Sequence, residues 1–220
     1  MQVRFYFDPL CPWCWITSHW LHGEVAPHRD LDIDWRPISL MVRNEGHVQE
    51  GGVPDGPEQE EYLEKHTAPR QRSFGLLRII EALRKDGKAE SVHDVYMAFG
   101  KHFHHADDGL EFDIGRALTQ AGVDPSYADA YDDTAFDAAV RASTQEAEEV
   151  AGDDVGTPII SFEVDGEWKG YFGPVIPQVV KGEAALRLWD GLDALIRTDG
   201  FYELKRTRTV GPDLDSVDLS

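Results

Sequence analysis

The sequence predicts an α/β protein in which a β-α-β unit and a β-β-α unit are separated by a large all-helical insertion. Three observations carry this reading. The first 38 residues run strand, helix, strand; residues 58–148 show helical patterning only; and two β-rich runs around an Asp165-Gly166 turn, followed by a helix, restore the β pattern afterwards.

VRFYF (3–7) is dense in β-branched and aromatic residues, as a strand is. Asp8 and Pro9 break it. Pro12 suits a first helical turn, where its missing N–H costs little, and Trp15, Ile16, Trp20, Leu21 and Val25 carry the helix to Val25. LDIDWRPI (31–38) alternates like a half-buried strand, completing a βαβ unit with an expected right-handed crossover. Residues 44–57, NEGHVQEGGVPDGP, read as a loop. Helical stretches follow: YLEKHTAPRQRSFGLLRIIEALRKDG, SVHDVYMAFGKHFHH, FDIGRALTQAGV and DTAFDAAVRASTQEAEEVAG, with Gly87, Gly109, Gly122 and Gly152 near their ends as stop signals. PIISFEV and EWKGYF then flank Asp165-Gly166, the strongest short-range hairpin cue. A last helix covers roughly residues 182–197, and the acidic tail from Val210 is expected to be loose. Joining the two ends gives a thioredoxin-like domain of four strands from residues 1–45 and 150–209. The insertion, 46–149, is expected to fold as a lid over the sheet side that carries the cysteines, with 210–220 as a loose tail.

The chain has 220 residues, 41% of them apolar, enough to bury a sizeable core. Its 21 Lys and Arg against 41 Asp and Glu give a net charge of −20. Such a surface disfavours nucleic acid and anionic membranes as general partners and serves solubility or high salt. No apolar run approaches the roughly 18–20 residues that span a bilayer. MQVRFYFDPL lacks the basic start, apolar block and cleavage site of a secretory signal, so a cytoplasmic location is expected.

Both cysteines, Cys11 and Cys14, lie in FDPLCPWCW (7–15), at the start of the first helix. In a reducing compartment such a pair points to redox chemistry or half of a metal site rather than a structural staple. At a helix N-terminus, unpaired amides and the positive dipole end favour a thiolate on Cys11. An unperturbed thiol titrates near about 8.5, and Cys-x-x-Cys motifs bring it to roughly 3.5–7.5. Cys14 sits one turn on, placed to resolve a mixed disulfide formed at Cys11. A zinc site would need two further ligands, with His102, His104 and His105 the candidates by number; no metal is expected. His19 stands about 12 Å of helical rise from Cys11 and reads as a helix-surface residue. Thr157-Pro158 opens a strand, where proline is tolerated.

FDPLCPWCWITSHW, DVGTPII, FYELKRTR and the helical insertion together resemble the DsbA-like thioredoxin-fold oxidoreductases, and more closely the actinobacterial mycothiol-dependent nitroreductases, over residues 3–209. The resemblance implies Cys11 as nucleophile, Cys14 as resolving thiol and Pro158 as a cis-proline, with Thr157 presenting its backbone to substrate. It places Pro12 and Trp13 between the thiols, Trp13 as an aromatic wall, and puts Asn44, Tyr62 and His104 among the residues lining the cleft. On the residues alone, Asn44 is equally a turn residue and Tyr62 equally a core residue of an insertion helix. Lys205, Arg206 and Arg208 stand out in an acidic chain and are expected to form structural ion pairs.

The implied function is a cytoplasmic dithiol oxidoreductase drawing electrons from a low-molecular-weight thiol, mycothiol. Its substrates would be mixed disulfides or small electrophiles such as nitroaromatics. No bound cofactor is expected, and no Gly-rich dinucleotide fingerprint is seen. A homodimer is left open. Two other readings stand beside it: an enzyme like glutathione transferase kappa or chromene-carboxylate isomerase, against which Cys14 argues, and a non-redox binding module on the same platform.

Overall fold

The computed structural model describes residues 1–45, 57–107 and 109–219, with side chains for all of these except 57–66. Most of the expected loop over 44–57 therefore lies outside the described residues, as does the side chain of Tyr62. Along the chain run β1 (Gln2–Phe7), α1 (Pro12–His19), β2 (Asp32–Pro37), α2 (Leu40–Arg43), α3 (Pro57–Lys85), α4 (Val92–His105), α5 (Ile114–Gln120), α6 (Asp137–Ala151), β3 (Ile159–Val164), β4 (Glu167–Phe172) and α7 (Gly182–Ile196). They divide into two compact units, one of residues 1–7, 11–36 and 146–220, the other of 8–10 and 37–145.

The first unit is built on a four-stranded sheet of order β2-β1-β3-β4. This is the thioredoxin-like α/β arrangement expected from the sequence. β3 runs antiparallel to both neighbours, with Val3 opposite Phe162 and Ile159 opposite Phe172. Asp165 (φ 54) and Gly166 (φ 83) form the two-residue turn of the β3–β4 hairpin. Left-handed backbone at both central positions matches the twist of the flanking strands, which is why Asp-Gly signals it.

Strand alternation sorts β1 onto two faces. Val3, Phe5 and Phe7 enter the core, where Phe5 meets Trp35 edge-on at 5.1 Å and Phe162 meets Trp189 of α7 edge-on at 5.1 Å. The opposite face carries charge. Arg4 donates to Glu146 at 2.7 Å, while Arg36 donates to Glu146 and, at 2.6 Å, to Asp34. The Arg4 guanidinium also lies 3.6 Å over the Trp168 ring. Two cations against two carboxylates keep this half-buried cluster neutral, the condition under which partly desolvated charges are tolerated. Burial, with Glu146 nearby, pushes the Tyr6 phenol up to about 12.

The first helix departs from a regular α-helix. After His19 it widens into a π-helical stretch, Trp20–Val25, and then a 3-10 turn, Ala26–His28. The sequence explains this: Trp15, Trp20 and Val25 are five apart, as are Ile16 and Leu21. Spacing of five strays from an α-helical stripe but suits i→i+5 bonding, as in the Ala26 amide to the Leu21 carbonyl. All five side chains are buried.

In the second unit, Leu76, Leu77, Ile80 and Leu83 of α3, Val95, Tyr96 and Phe99 of α4, Leu118 of α5 and Val140 of α6 form the core. α3 stops at Gly87 (φ 74), where the Lys88 amide reaches the Leu83 carbonyl at 2.9 Å and the Gly87 amide the Arg84 carbonyl at 3.1 Å. This is a Schellman cap, and α5 ends the same way at Gly122. Gly75 of α3 has a different reason: a Cβ there would lie 2.3 Å from the Tyr131 ring.

Residues 8–10 belong to this unit because of Asp8. Its carboxylate accepts from the Leu10 amide at 2.9 Å, the Leu40 amide at 2.7 Å and the Ser73 hydroxyl at 2.5 Å. His104 of α4 holds the next residue: its Nε2 donates to the Pro9 carbonyl at 2.9 Å, which fixes the tautomer, since a carbonyl only accepts. Burial pulls the His104 imidazole down to about 4, against the opposing pull of the Pro9 carbonyl.

The tail expected to be loose from Val210 is held at its far part. The Asp213 amide donates to the Pro177 carbonyl at 2.7 Å, the Val179 amide to Ser216 Oγ at 3.0 Å, and Val217 is buried. Apolar Leu214 and Val217 among the acidic residues give the tail something to bury. Among the described residues, no helix is long and apolar enough to cross a membrane.

Two outcomes follow from these contacts. Gly75→Ala is expected to cost about 1–3 kcal/mol by overpacking, although alanine is the better helix former. Thermal denaturation reads this as about 2–4 °C per kcal/mol at this size, and an unchanged midpoint would mean that the Tyr131 ring yields. The second concerns acid. A histidine with a folded-state value of about 4 against 6.5 unfolded gives stability that is complete above pH 6.5 and is lost as pH falls toward 4. The loss amounts to roughly 2–3 kcal/mol. Urea midpoints for wild type and His104→Gln at pH 7 and pH 4 should therefore converge at the lower pH; parallel losses in both would remove His104 as the cause.

Candidate functional site

The site is assembled from two segments of the first unit, the start of α1 and the turn into β3. Cys11 is the N-cap of α1, with extended backbone (φ −80, ψ 111). Its carbonyl takes the first intrahelical bond from the Trp15 amide at 3.1 Å, and its Sγ accepts from the Cys14 amide at 3.4 Å. A sulfur thus occupies the position usually filled by a Ser or Asp oxygen. Pro12 at the first helical position removes an amide that would otherwise need an acceptor. Amide and helix end together stabilise negative charge at this sulfur.

The two cysteines, both thiols, differ in access: Cys11 is 5% exposed and Cys14 is 0% exposed. Of the two, Cys11 keeps the greater residual exposure. Facing it, Thr157 offers a carbonyl that accepts from the Cys11 thiol at 3.8 Å. The Thr157-Pro158 bond is cis and both residues are buried. Trp13 is half-buried between the thiols. Cys11, Pro12, Trp13, Cys14, Thr157 and Pro158 are therefore brought together.

Three other expected site residues, Asn44, Tyr62 and His104, belong to the second unit. Asn44 ends α2, its Nδ2 donating to the Leu40 carbonyl, the turn role that the residues alone allowed. His104 binds the Pro9 carbonyl. Tyr62 lies on α3, its side chain outside the described residues. His19 is half-buried rather than a surface residue, edge-on to Trp15 at 4.4 Å.

Sequence reasoning missed several contributors. Thr17, fully buried on α1, donates to the Pro174 carbonyl at 2.8 Å. Gly173-Pro174 is a second cis bond, and the Gly173 amide donates to the Pro158 carbonyl at 2.8 Å, joining the two proline loops. Gly173 (φ 108) has no room for a Cβ, which would lie 2.9 Å from the Val175 amide nitrogen. The Gly-Pro dipeptide in YFGPV was the available signal. Asp8 read only as a strand breaker. The ion pairs expected of Lys205, Arg206 and Arg208 are absent among the described residues; instead the Arg208 guanidinium lies 5.4 Å over the Trp13 ring.

Residues 10–206 match the family described as Rv2466c-like, mycothiol-dependent nitroreductase Rv2466c. An uncharacterized protein of Mycobacterium tuberculosis (strain ATCC 25618 / H37Rv), Rv2286c, is 32% identical over 213 residues, covering 94% of this chain and 82% of its own. A 2-hydroxychromene-2-carboxylate isomerase structure superposes with TM-score 0.52 at 18% identity, covering 88% of this chain and 94% of that one, a likeness of fold. The cytosolic disulfide reductase DsbM from Pseudomonas aeruginosa gives TM-score 0.49 at 17% identity, over 88% of this chain and 100% of that one. With the family covering nearly the whole chain, CPWC motif included, this protein belongs to the Rv2466c-like, mycothiol-dependent nitroreductase family of thiol-dependent oxidoreductases.

Proposed function

We propose that the chain is a cytoplasmic thiol-disulfide oxidoreductase working through the Cys11–Cys14 dithiol, with mycothiol as reductant, on mixed disulfides and small electrophiles such as nitroaromatics. The observation that carries this reading is the Cys11 sulfur at the helix N-cap, accepting the Cys14 amide and facing the Thr157 carbonyl. The family's description as mycothiol-dependent supports the choice of reductant.

The chemistry balances as follows. The Cys11 thiolate attacks one sulfur of a substrate disulfide; the substrate S–S bond breaks, a Cys11 mixed disulfide forms and the other sulfur leaves as thiolate. Cys14, deprotonated, then attacks Cys11 Sγ, expelling the second substrate thiolate and closing the Cys11–Cys14 disulfide. Two molecules of mycothiol restore the dithiol and leave as their own disulfide. For a nitro group, the same two electrons and two protons give a nitroso compound and water. Trp13 forms a wall of the pocket, Thr157 offers its backbone beside Pro158, and Pro12 sets the helix start. As the family resemblance implies, Asn44, Tyr62 and His104 are assigned to substrate binding as well, with residues 46–149 as the helical insertion of a thioredoxin-like domain of residues 1–45 and 150–209.

The test is trapping. Cys14→Ser should accumulate an adduct of one small thiol per chain by intact mass, Cys11→Ser should form none, and either change should cut multiple-turnover disulfide reduction by about 100-fold or more. Wild-type turnover by Cys11→Ser would sink the dithiol reading.

A further inference from the structure

Residues 202–210 cross the first unit with every side chain exposed, including Tyr202 at 86% and Leu204 at 81%. The segment is nevertheless held at both ends. Upstream, the Tyr171 hydroxyl of β4 donates to the Phe201 carbonyl and the two rings meet edge-on at 5.9 Å. Downstream, Asp213 and Ser216 bind Pro177 and Val179. Between these anchors a chain of net charge −20 places Lys205, Arg206 and Arg208, and one of them, Arg208, sits over the Trp13 ring between the two cysteines.

An exposed cation–π contact stabilises by only about 0.5–1 kcal/mol. That is little return for holding apolar Tyr202 and Leu204 in water. The contact with Trp13 does something else: it places the guanidinium beside the dithiol while leaving its fork of N–H donors unused, since Arg208 makes no ion pair or hydrogen bond among the described residues. The planar fork of an arginine matches a pair of oxygens bidentately.

We propose that Arg208, lying over Trp13, is a specificity-determining residue that binds the carboxylate of an anionic aromatic or disulfide substrate at the Cys11–Cys14 pair. The assignment rests on the dithiol reading and adds a substrate class to it. In a strongly acidic chain this cation offsets the repulsion that an anionic substrate meets on approach.

The test compares two disulfides in single-turnover reaction with the reduced full-length protein: dithiobis(nitrobenzoate), which carries carboxylates, and dithiodipyridine, which is uncharged. Arg208→Gln should slow the first by about tenfold or more, the size of a lost charge-assisted hydrogen bond. The second should change by less than about twofold, as should both reagents with Arg206→Gln, a neighbour of equal charge not seated on Trp13. Arg208→Lys should recover only part of the loss. Equal slowing of both reagents by Arg208→Gln, no slowing of either, or the same effect from Arg206→Gln would overturn the assignment. Cys11→Ser separates the two readings: if it reacts as fast as wild type with both reagents, the dithiol reading itself has failed, whatever Arg208 does.

Discussion

The first amides of α1 must find an acceptor, and the acceptor they find is the sulfur of Cys11. That requirement organises the region around it. Pro12 removes one unsatisfied donor, the Cys14 amide supplies the bond that holds the sulfur, and the turn that brings Cys14 near Cys11 also buries it. Helix capping and presentation of the reactive group are one interaction here. Replacing the sulfur alters local stability and chemistry together.

The three residues before the cap, 8–10, are held within the helical unit by buried polar groups. Asp8 is fully buried, and desolvation raises its carboxyl above the usual carboxylate range against three donors that oppose the rise. A carboxyl held by Leu10, Leu40 and Ser73 is costly to bury but specifies where the chain turns after β1. His104 adds a bond to the next carbonyl, Pro9, and does so as the neutral imidazole. Asp8 and Pro9 lie three and two residues before Cys11 along the chain.

Features written in local chemistry were legible in the sequence. The Asp165-Gly166 hairpin, the caps at Gly87 and Gly122, the proline at the start of α1 and the adjacent thiols each depend on a few consecutive residues. What was not legible depends on partners far along the chain. Thr17 meets Pro174 across 157 positions, and Arg208 finds Trp13 instead of the carboxylates that an acidic composition offers. The five-residue apolar spacing in α1 was visible but was read against the α-helical template alone. Asn44 shows the converse: its bond to Leu40 is local, and the turn role needed no resemblance to be read.

The position of the sheet's central pairing has a consequence for synthesis. β1 is complete at Phe7, yet β3, the second of the two strands beside it, begins at Ile159. At ribosomal rates of about 5–20 residues per second, β1 waits roughly 8–30 s for its partner. Until then Val3, Phe5 and Phe7 have only β2 beside them. The wait is bridged by residues 37–145, which form their own compact unit and shorten the effective loop that β1 and β3 must close. The helical insertion is thus placed to fold first, with the nascent β1 as the segment most in need of a chaperone's cover.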